Sequence, residues 1–362
     1  MITALIFIAV IGILVVVHEF GHFITAKKAG MKVEEFGFGF PPRLWGKKKG
    51  DTTYSVNLIP FGGFVKIFGE EGEHRNASES FSSKPIGVLL KVVIAGVIMN
   101  FLLAVFLLML GNYFGIRVGI GDETDKIAAL AREKRVQIIN VVTDSPAQKA
   151  GLKIFDEIAG FSVSGSLVPV VTAQQVRDYV AANAGKEIEI VIKSNSDTEV
   201  KKVTLPENAT GEKGLLGIVP ARTGILSYPW YESVWRGVSD AVFLTGQTAA
   251  GYYQLFKTLF LHGKLIADVS GPIGIANVTG QAAGVGFRFL LQFVALISVN
   301  LAILNAIPFP ALDGGRALML VIEKIKGSPV NSKAEAVVNS VGFAFLILLM
   351  VYATISDLGR FF

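Results

Sequence analysis

The sequence predicts a polytopic α-helical membrane protein with about four transmembrane helices and a water-exposed α+β domain inserted between the second and third. Three observations predict it. Hydrophobic residues make up 51% of the 362 and charged residues only 17%, against about 25% charged in an ordinary soluble domain. That deficit is concentrated in four apolar runs, each about long enough to cross a hydrocarbon core. Between the second and third runs lies polar sequence of ordinary composition, patterned as strands and amphipathic helix.

The first run, residues 2–26, is charge-free except for Glu19, which has His18 and His22 beside it. It lacks the basic start and small-residue cleavage site of a signal peptide and reads as a spanning helix. Its polar cluster falls about 25 Å along that helix at 1.5 Å per residue, near one edge of the hydrocarbon. In the second run, residues 92–110, Asn100 is the only strongly polar member. The third, residues 289–307, holds Gln292, Ser298, Asn300 and Asn305, and the fourth is 337–355.

The loops orient these crossings. Residues 27–52 carry seven Lys/Arg and three acids, and the short loop 310–336 holds Arg316, Lys324, Lys326 and Lys333. Four crossings put both loops on one face, which the positive-inside rule makes cytoplasmic. The formal charge of +5 comes with no basic tail or aromatic-basic array. The bases of residues 27–49 therefore read as a membrane flank in contact with lipid, and nucleic acid is excluded as a partner. The absence of cysteine excludes disulfides and thiolate zinc ligands.

Four segments follow: a membrane core over 1–114, the insert over 115–220, an interfacial linker over 221–285 and a second membrane core over 286–362. Within the insert, 136–158 reads as a strand, a turn at Asp144–Pro146, a short helix and a stop at Gly151. "TAQQVRDYVAANAG" is an amphipathic helix closed by Gly185, and 186–205 is two strands joined at Ser194–Asp197. This order, and "SPAQKAGLK" in particular, resembles a PDZ domain. PDZ domains usually continue with Gly-Asp, where this chain has Phe155-Asp156. The resemblance implies an edge groove that receives a strand or a chain terminus; the alternative is a size-excluding or packing module. Trp230, Trp235, Tyr252, Tyr253 and Phe256, among sparse charges, suggest helices lying against the membrane interface.

The strongest local signal is "VVHEFGHF", the HExxH pattern of His18, Glu19 and His22. On a helix, i and i+4 share a face, so two imidazoles can grip one metal. Neutral imidazole and carboxylate oxygen suit zinc, which makes hydroxide available near neutral pH. Glu19 is placed to accept the proton of the attacking water. Two histidines and a glutamate inside an apolar span are costly unless paired or functional. His74 and His262 fall outside register with this site and read as surface residues. Catalytic zinc normally takes three protein ligands, and the best third candidate is Asp313 in "LNAIPFPALDGG". It follows the third run and faces the same cytoplasmic edge. Pro308 and Pro310 break the helix there, and Gly314 and Gly315 permit a close approach to the metal. A simple loop after a span is the other reading of this segment. The Asn305 amide either holds a substrate backbone and supports an oxyanion or satisfies the helix end before Pro308.

Together these residues resemble the site-2 proteases, the M50 zinc metalloproteases, and particularly the bacterial intramembrane proteases that process anti-sigma factors. "HEFGH" matches that family's zinc motif. "LNAIPFPALDGG" matches its second motif, which implies Asp313 as third ligand and Asn305 as a substrate-side polar residue. "GFGF" at Gly37–Phe40 and "NLIPFGGFVKIFGE" at Asn57–Glu70 resemble its membrane-associated β region. "SGPIGIA" at Ser270–Ala276 resembles a segment before the third helix. The best-known enterobacterial member carries tandem PDZ domains, whereas this chain has room for one, as single-PDZ members do.

The resemblance completes the expected fold: about four transmembrane helices, a membrane-associated β region and an inserted PDZ-like domain, in a bacterial inner membrane. It implies one zinc per chain, metal ligands His18, His22 and Asp313, catalytic roles for Glu19 and Asn305, and single-pass membrane proteins as substrates. An ordinary membrane-anchored protease would more naturally carry its motif beyond the anchor. The nonenzymatic alternative is a PDZ-bearing membrane scaffold or regulator.

Overall fold

A computed structural model of the chain describes residues 2–70, 72, 74, 76–121, 126–194, 197–208, 215–262, 271–328 and 330–361. The chain opens with helix α1 (Ile2–Lys28), strands β1 (Val33–Lys49) and β2 (Thr52–Ile67), and helix α2 (Ile86–Phe114). There follow β3 (Ile116–Gly119), α3 (Lys126–Leu130), β4 (Arg132–Val141), α4 (Pro146–Lys149), β5 (Glu157–Val163), β6 (Ser166–Pro169), α5 (Ala173–Ala182), β7 (Glu187–Ser194), β8 (Asp197–Thr204) and β9 (Ile218–Leu226). It closes with α6 (Trp230–His262), α7 (Pro272–Val285), α8 (Phe287–Ala306), α9 (Asp313–Lys326) and α10 (Ser332–Phe361). Among the described residues, α1, α2, α8 and the Lys333–Gly359 stretch of α10 are long and apolar enough to cross a membrane. Residues of the expected joint Ser194–Asp197 and Ser270 of the "SGPIGIA" segment lie partly or wholly outside the described residues.

The chain forms two compact units. The first comprises Met1–Met109, Val234–Gly280 and Leu291–Phe362; the second comprises Leu110–Ser233 and Gln281–Leu290.

In the first unit, α1 and α2 are apolar on every face, as buried or membrane-spanning helices are. Ile98, Phe106 and Leu348 stand exposed on the outside of the bundle, where hydrocarbon rather than water would cover them without cost. Two clusters hold the interior. Ala104 and Leu108 of α2 pack with Ala241 of α6 and with Ala295 and Val299 of α8. Ala26, Met31, Val33, Ile67, Phe81, Leu89, Val92, Val93 and Leu320 form the other cluster, which joins α1, both β-strands, α2 and α9 around one end of α1.

Helix α6 departs from the interfacial expectation. Gly237 packs against the backbone of Met109 in α2, Ala241 is fully buried, and Tyr252 Oη donates to Asn300 Oδ1 of α8 at 3.0 Å. Small residues let this helix come close to two spanning helices, while Trp230 and Trp235 stay exposed. Aromatic composition alone did not distinguish a membrane-surface helix from one packed into the bundle.

Strands β1 and β2 pair antiparallel through several irregularities of register. Gly39 and Gly62, at φ 79° and 107°, occupy backbone conformations that favour glycine. Buried Asn57 donates from Nδ2 to the Gly39 carbonyl at 3.0 Å, holding the bend. The pair packs against α1, where a Cβ at Gly12 would meet the Phe38 ring at 3.2 Å.

The second unit contains an antiparallel sheet in the order β3-β9-β4-β5-β7-β8, with β6 beside β5. Ile138, Ile158, Phe161, Ile190, Ile192, Val176 and Val180 fill its core. Helices α4 and α5 are capped at their N-termini. Ser145 caps α4 ahead of Pro146, and Thr172 and Gln175 form a reciprocal capping box on α5. Strand β9 runs to Leu226, beyond the boundary expected at residue 220, because β3 and β4 flank it on both sides there. Phe155 has a left-handed φ of 76°. Within the unit its ring packs on Phe289 at 4.8 Å between centroids.

Candidate metal centre

The i, i+4 spacing of His18 and His22 on α1 turns both imidazoles toward α2. Their Nε2 atoms are 3.2 Å apart. Asp313 is the first residue of α9, and its Oδ2 lies 3.1 Å from His18 Nε2 and 3.3 Å from His22 Nε2. The imidazoles are 12% exposed and the carboxylate 24%, so the trio is shielded but reachable. The structure thus brings together the three residues that the sequence offers as metal ligands.

The local fold explains how residues so distant in sequence converge. Helix α8 ends at Ala306, ahead of Pro308 and Pro310, as their missing donors and ring sterics dictate. The chain then turns back on itself into α9. A Cβ on Gly314 would collide with the carbonyl oxygens of Ala306 and Ile307, and one on Gly315 with that of Phe309. The glycine pair is therefore needed for the turn's approach to its own backbone. Arg316 fixes the first turn of α9. Its two Nη atoms donate to Glu70 Oε1 at 2.7 Å and to the Glu70 carbonyl at 2.9 Å, and its guanidinium lies over the Phe81 ring.

The donor chemistry fits zinc. The His22 Nδ1 atom is 2.8 Å from the Val92 carbonyl. A carbonyl only accepts, so Nδ1 carries the ring proton and Nε2 presents a lone pair. Asp313 Oδ2 is buried with no hydrogen-bond partner among the described residues. Acceptor atoms repel at such separations unless a cation lies among them. Two ligands on a tetrahedral zinc with bonds of about 2.0–2.1 Å stand about 3.3 Å apart, which is the spacing present here. Asp313 is the oxygen donor of a trio that could hold a metal ion.

Glu19 sits on the same helix between the two histidines. A Cβ on Gly63 of β2 would come within 3.2 Å of Glu19 Cγ, so the glycine-rich strand passes directly beside this carboxylate. Asn305 is half-buried in the last turn of α8 and makes no hydrogen bond among the described residues. His74 is exposed and stacks on Phe68, apart from the ligand set. The His262 side chain lies outside the described residues.

Sequence comparison agrees with this geometry. The profile of peptidase family M50 matches residues 6–349. The chain belongs to peptidase family M50. It is 36% identical over 356 residues to a zinc-metalloprotease candidate of Clostridium acetobutylicum, covering 96% of this chain and 94% of the relative. It is 30% identical over 445 aligned positions to the regulator of sigma-W protease RasP of Bacillus subtilis, covering 99% of both. Against the regulator of sigma-E protease RseP of Escherichia coli it is 29% identical over 444 positions, covering 98% of both. The M50 chain is a bacterial membrane zinc metalloprotease, and zinc is its cofactor.

Sequence reasoning missed four residues that shape this centre. Glu70 and Arg316 form a clamp between segments far apart in sequence, which no local pattern announces. Gly96 and Asn100 of α2 face the imidazoles. Their signal was present in Asn100, the lone polar residue of the second apolar run.

Proposed function

We propose that this M50 protein is an intramembrane endopeptidase that cuts single-pass membrane proteins within or beside the bilayer. The observation that carries this is the position of the ligand trio: two of its members lie on an apolar helix long enough to span the membrane. A protease for soluble targets has no need to place its metal there, where water and polar side chains are costly.

His18, His22 and Asp313 hold one zinc ion per chain. Bound there, zinc supplies Lewis acidity toward the scissile carbonyl and toward water. Glu19 accepts the proton of the attacking water and returns it to the leaving amine. Asn305 holds the substrate backbone or supports the charge that develops on the carbonyl oxygen. A helical substrate hides its carbonyls in internal bonds, so the scissile segment enters extended. The β1–β2 pair, with Gly63 beside Glu19, offers the strand edge on which it lies.

Both metal-bearing segments approach the cytoplasmic edge, and residues 115–220 face outward as a PDZ-like domain controlling access or receiving a peptide strand. The alignments to the two sigma-regulating proteases run longer than this chain, in keeping with a single such domain here. Those relatives are named as regulators of sigma factors; from the family resemblance, anti-sigma factors and remnant signal peptides are the substrate classes to try first. A scaffold without proteolysis leaves the converging ligands unexplained.

The test is cleavage by purified protein in lipid of a panel of single-pass substrates, with products mapped by mass. Cuts inside the spanning segments, lost with chelator and restored by zinc, are expected. Cuts confined to soluble, membrane-distal segments would reject the intramembrane reading.

A further inference from the structure

Val92, Gly96 and Asn100 recur at every fourth position of α2 and so share one face. That face meets both imidazoles. The Val92 carbonyl accepts from His22 Nδ1. Gly96 leaves the space in which the rings sit, since a Cβ there would fall 2.6 Å from His18 Cε1 and collide with His22 Nε2. The Asn100 amide lies 3.2 Å from His18 Nδ1.

Asn100 is 0% exposed in the middle of an apolar helix, where an amide without full hydrogen bonding is costly. Among the described residues its Oδ1 has no partner, and its side-chain nitrogen contacts His18 Nδ1. Its backbone carbonyl is pinned separately, by Ser298 Oγ of α8 at 2.7 Å. Packing and backbone bonding therefore give no reason for an amide here, whereas His18 does. With the amide nitrogen toward His18, Nδ1 must be the acceptor. The ring proton then falls on Nε2, the atom that faces His22 and Asp313, and blocks a metal bond. A half-turn about χ2 exchanges the amide's ends. Oxygen then accepts from Nδ1–H, and the Nε2 lone pair points at the metal position.

We infer that Asn100 is a positioning residue for zinc binding, whose amide oxygen selects the Nδ1–H tautomer of His18 as the Val92 carbonyl does for His22. One face of α2 thereby presets both histidines for the same metal. This rests on the ligand assignment above. Partners of this kind typically change metal affinity by about 10–100-fold.

The experiment is zinc competition against a chelator, with full-length protein in lipid, for wild type, Asn100→Leu, Asn100→Asp and His18→Ala. Melting of each metal-free protein serves as the folding control. Asn100→Leu, close in size and without an acceptor, should weaken zinc binding about 10–100-fold, with the metal-free melt retained. Asn100→Asp offers only acceptor oxygens and should bind zinc within a few-fold of wild type. Wild-type affinity in Asn100→Leu alongside loss in His18→Ala would overturn the inference and leave the ligand assignment standing. Equal weakening in the Leu and Asp variants, both folded, would also overturn it. Undiminished binding in His18→Ala would reject the ligand assignment itself.

Discussion

Asp313 and Asn305 lie eight positions apart in one motif, yet the structure gives them different work. Asp313 Oδ2 meets both imidazoles, whereas Asn305 lies in the last turn of α8 with its amide uncommitted among the described residues. Asp313→Asn removes the anionic oxygen and should cost more zinc affinity than the roughly 10–100-fold of an outer partner. Asn305→Leu should keep zinc and lower kcat, by about 10²–10³-fold if the amide acts on developing charge. Zinc content and single-turnover cleavage measured on the same samples separate these outcomes. Equal zinc loss in both folded variants would contradict the division of roles.

Three elements converge at the centre: α1 supplies two ligands and Glu19, α2 the face that receives them, and the turn into α9 the third ligand. Arg316 ties the last of these to the segment after β2 through a bidentate contact with Glu70. Arg316→Met keeps much of the packing on Phe81 but loses both donations. It should loosen the position of Asp313, raising the zinc dissociation constant about tenfold, as supporting contacts to metal ligands do. Arg316→Lys should rescue little, because a lysine cannot reproduce the forked donation. Chelator competition on the two variants checks this. The convergence of the candidate ligands was legible in the sequence, since HExxH is a local pattern with helical geometry and Asp313 follows a marked helix break. The four spans were legible from hydropathy. The clamp and the role of α2 were not, because each depends on which helices meet. The packing of α6 against α2 and α8 escaped for the same reason: exposed Trp230 and Trp235 dominate its composition, and buried Gly237 and Ala241 carry no signal of their own.

At the scale of the whole molecule, the account requires four crossings with the metal-bearing ends on the cytoplasmic side. The chain has no cysteine, so introduced thiols report without background. Lys48→Cys and Lys326→Cys should react with impermeant reagent from the cytoplasmic face, and Glu199→Cys from the opposite face. Labelling of all three from one side would overturn the four-crossing arrangement. The central claim is that this assembly performs zinc-dependent hydrolysis with Glu19 as the proton acceptor, and one variant tests it most directly. Glu19→Gln keeps size and polarity but removes an effective base. Single-turnover cleavage of a membrane substrate should be measured alongside zinc content and substrate crosslinking. The expected result is a folded protein with wild-type zinc and retained crosslinking that scarcely cuts; near-normal cleavage by that zinc-loaded protein would contradict a proton-accepting role for Glu19.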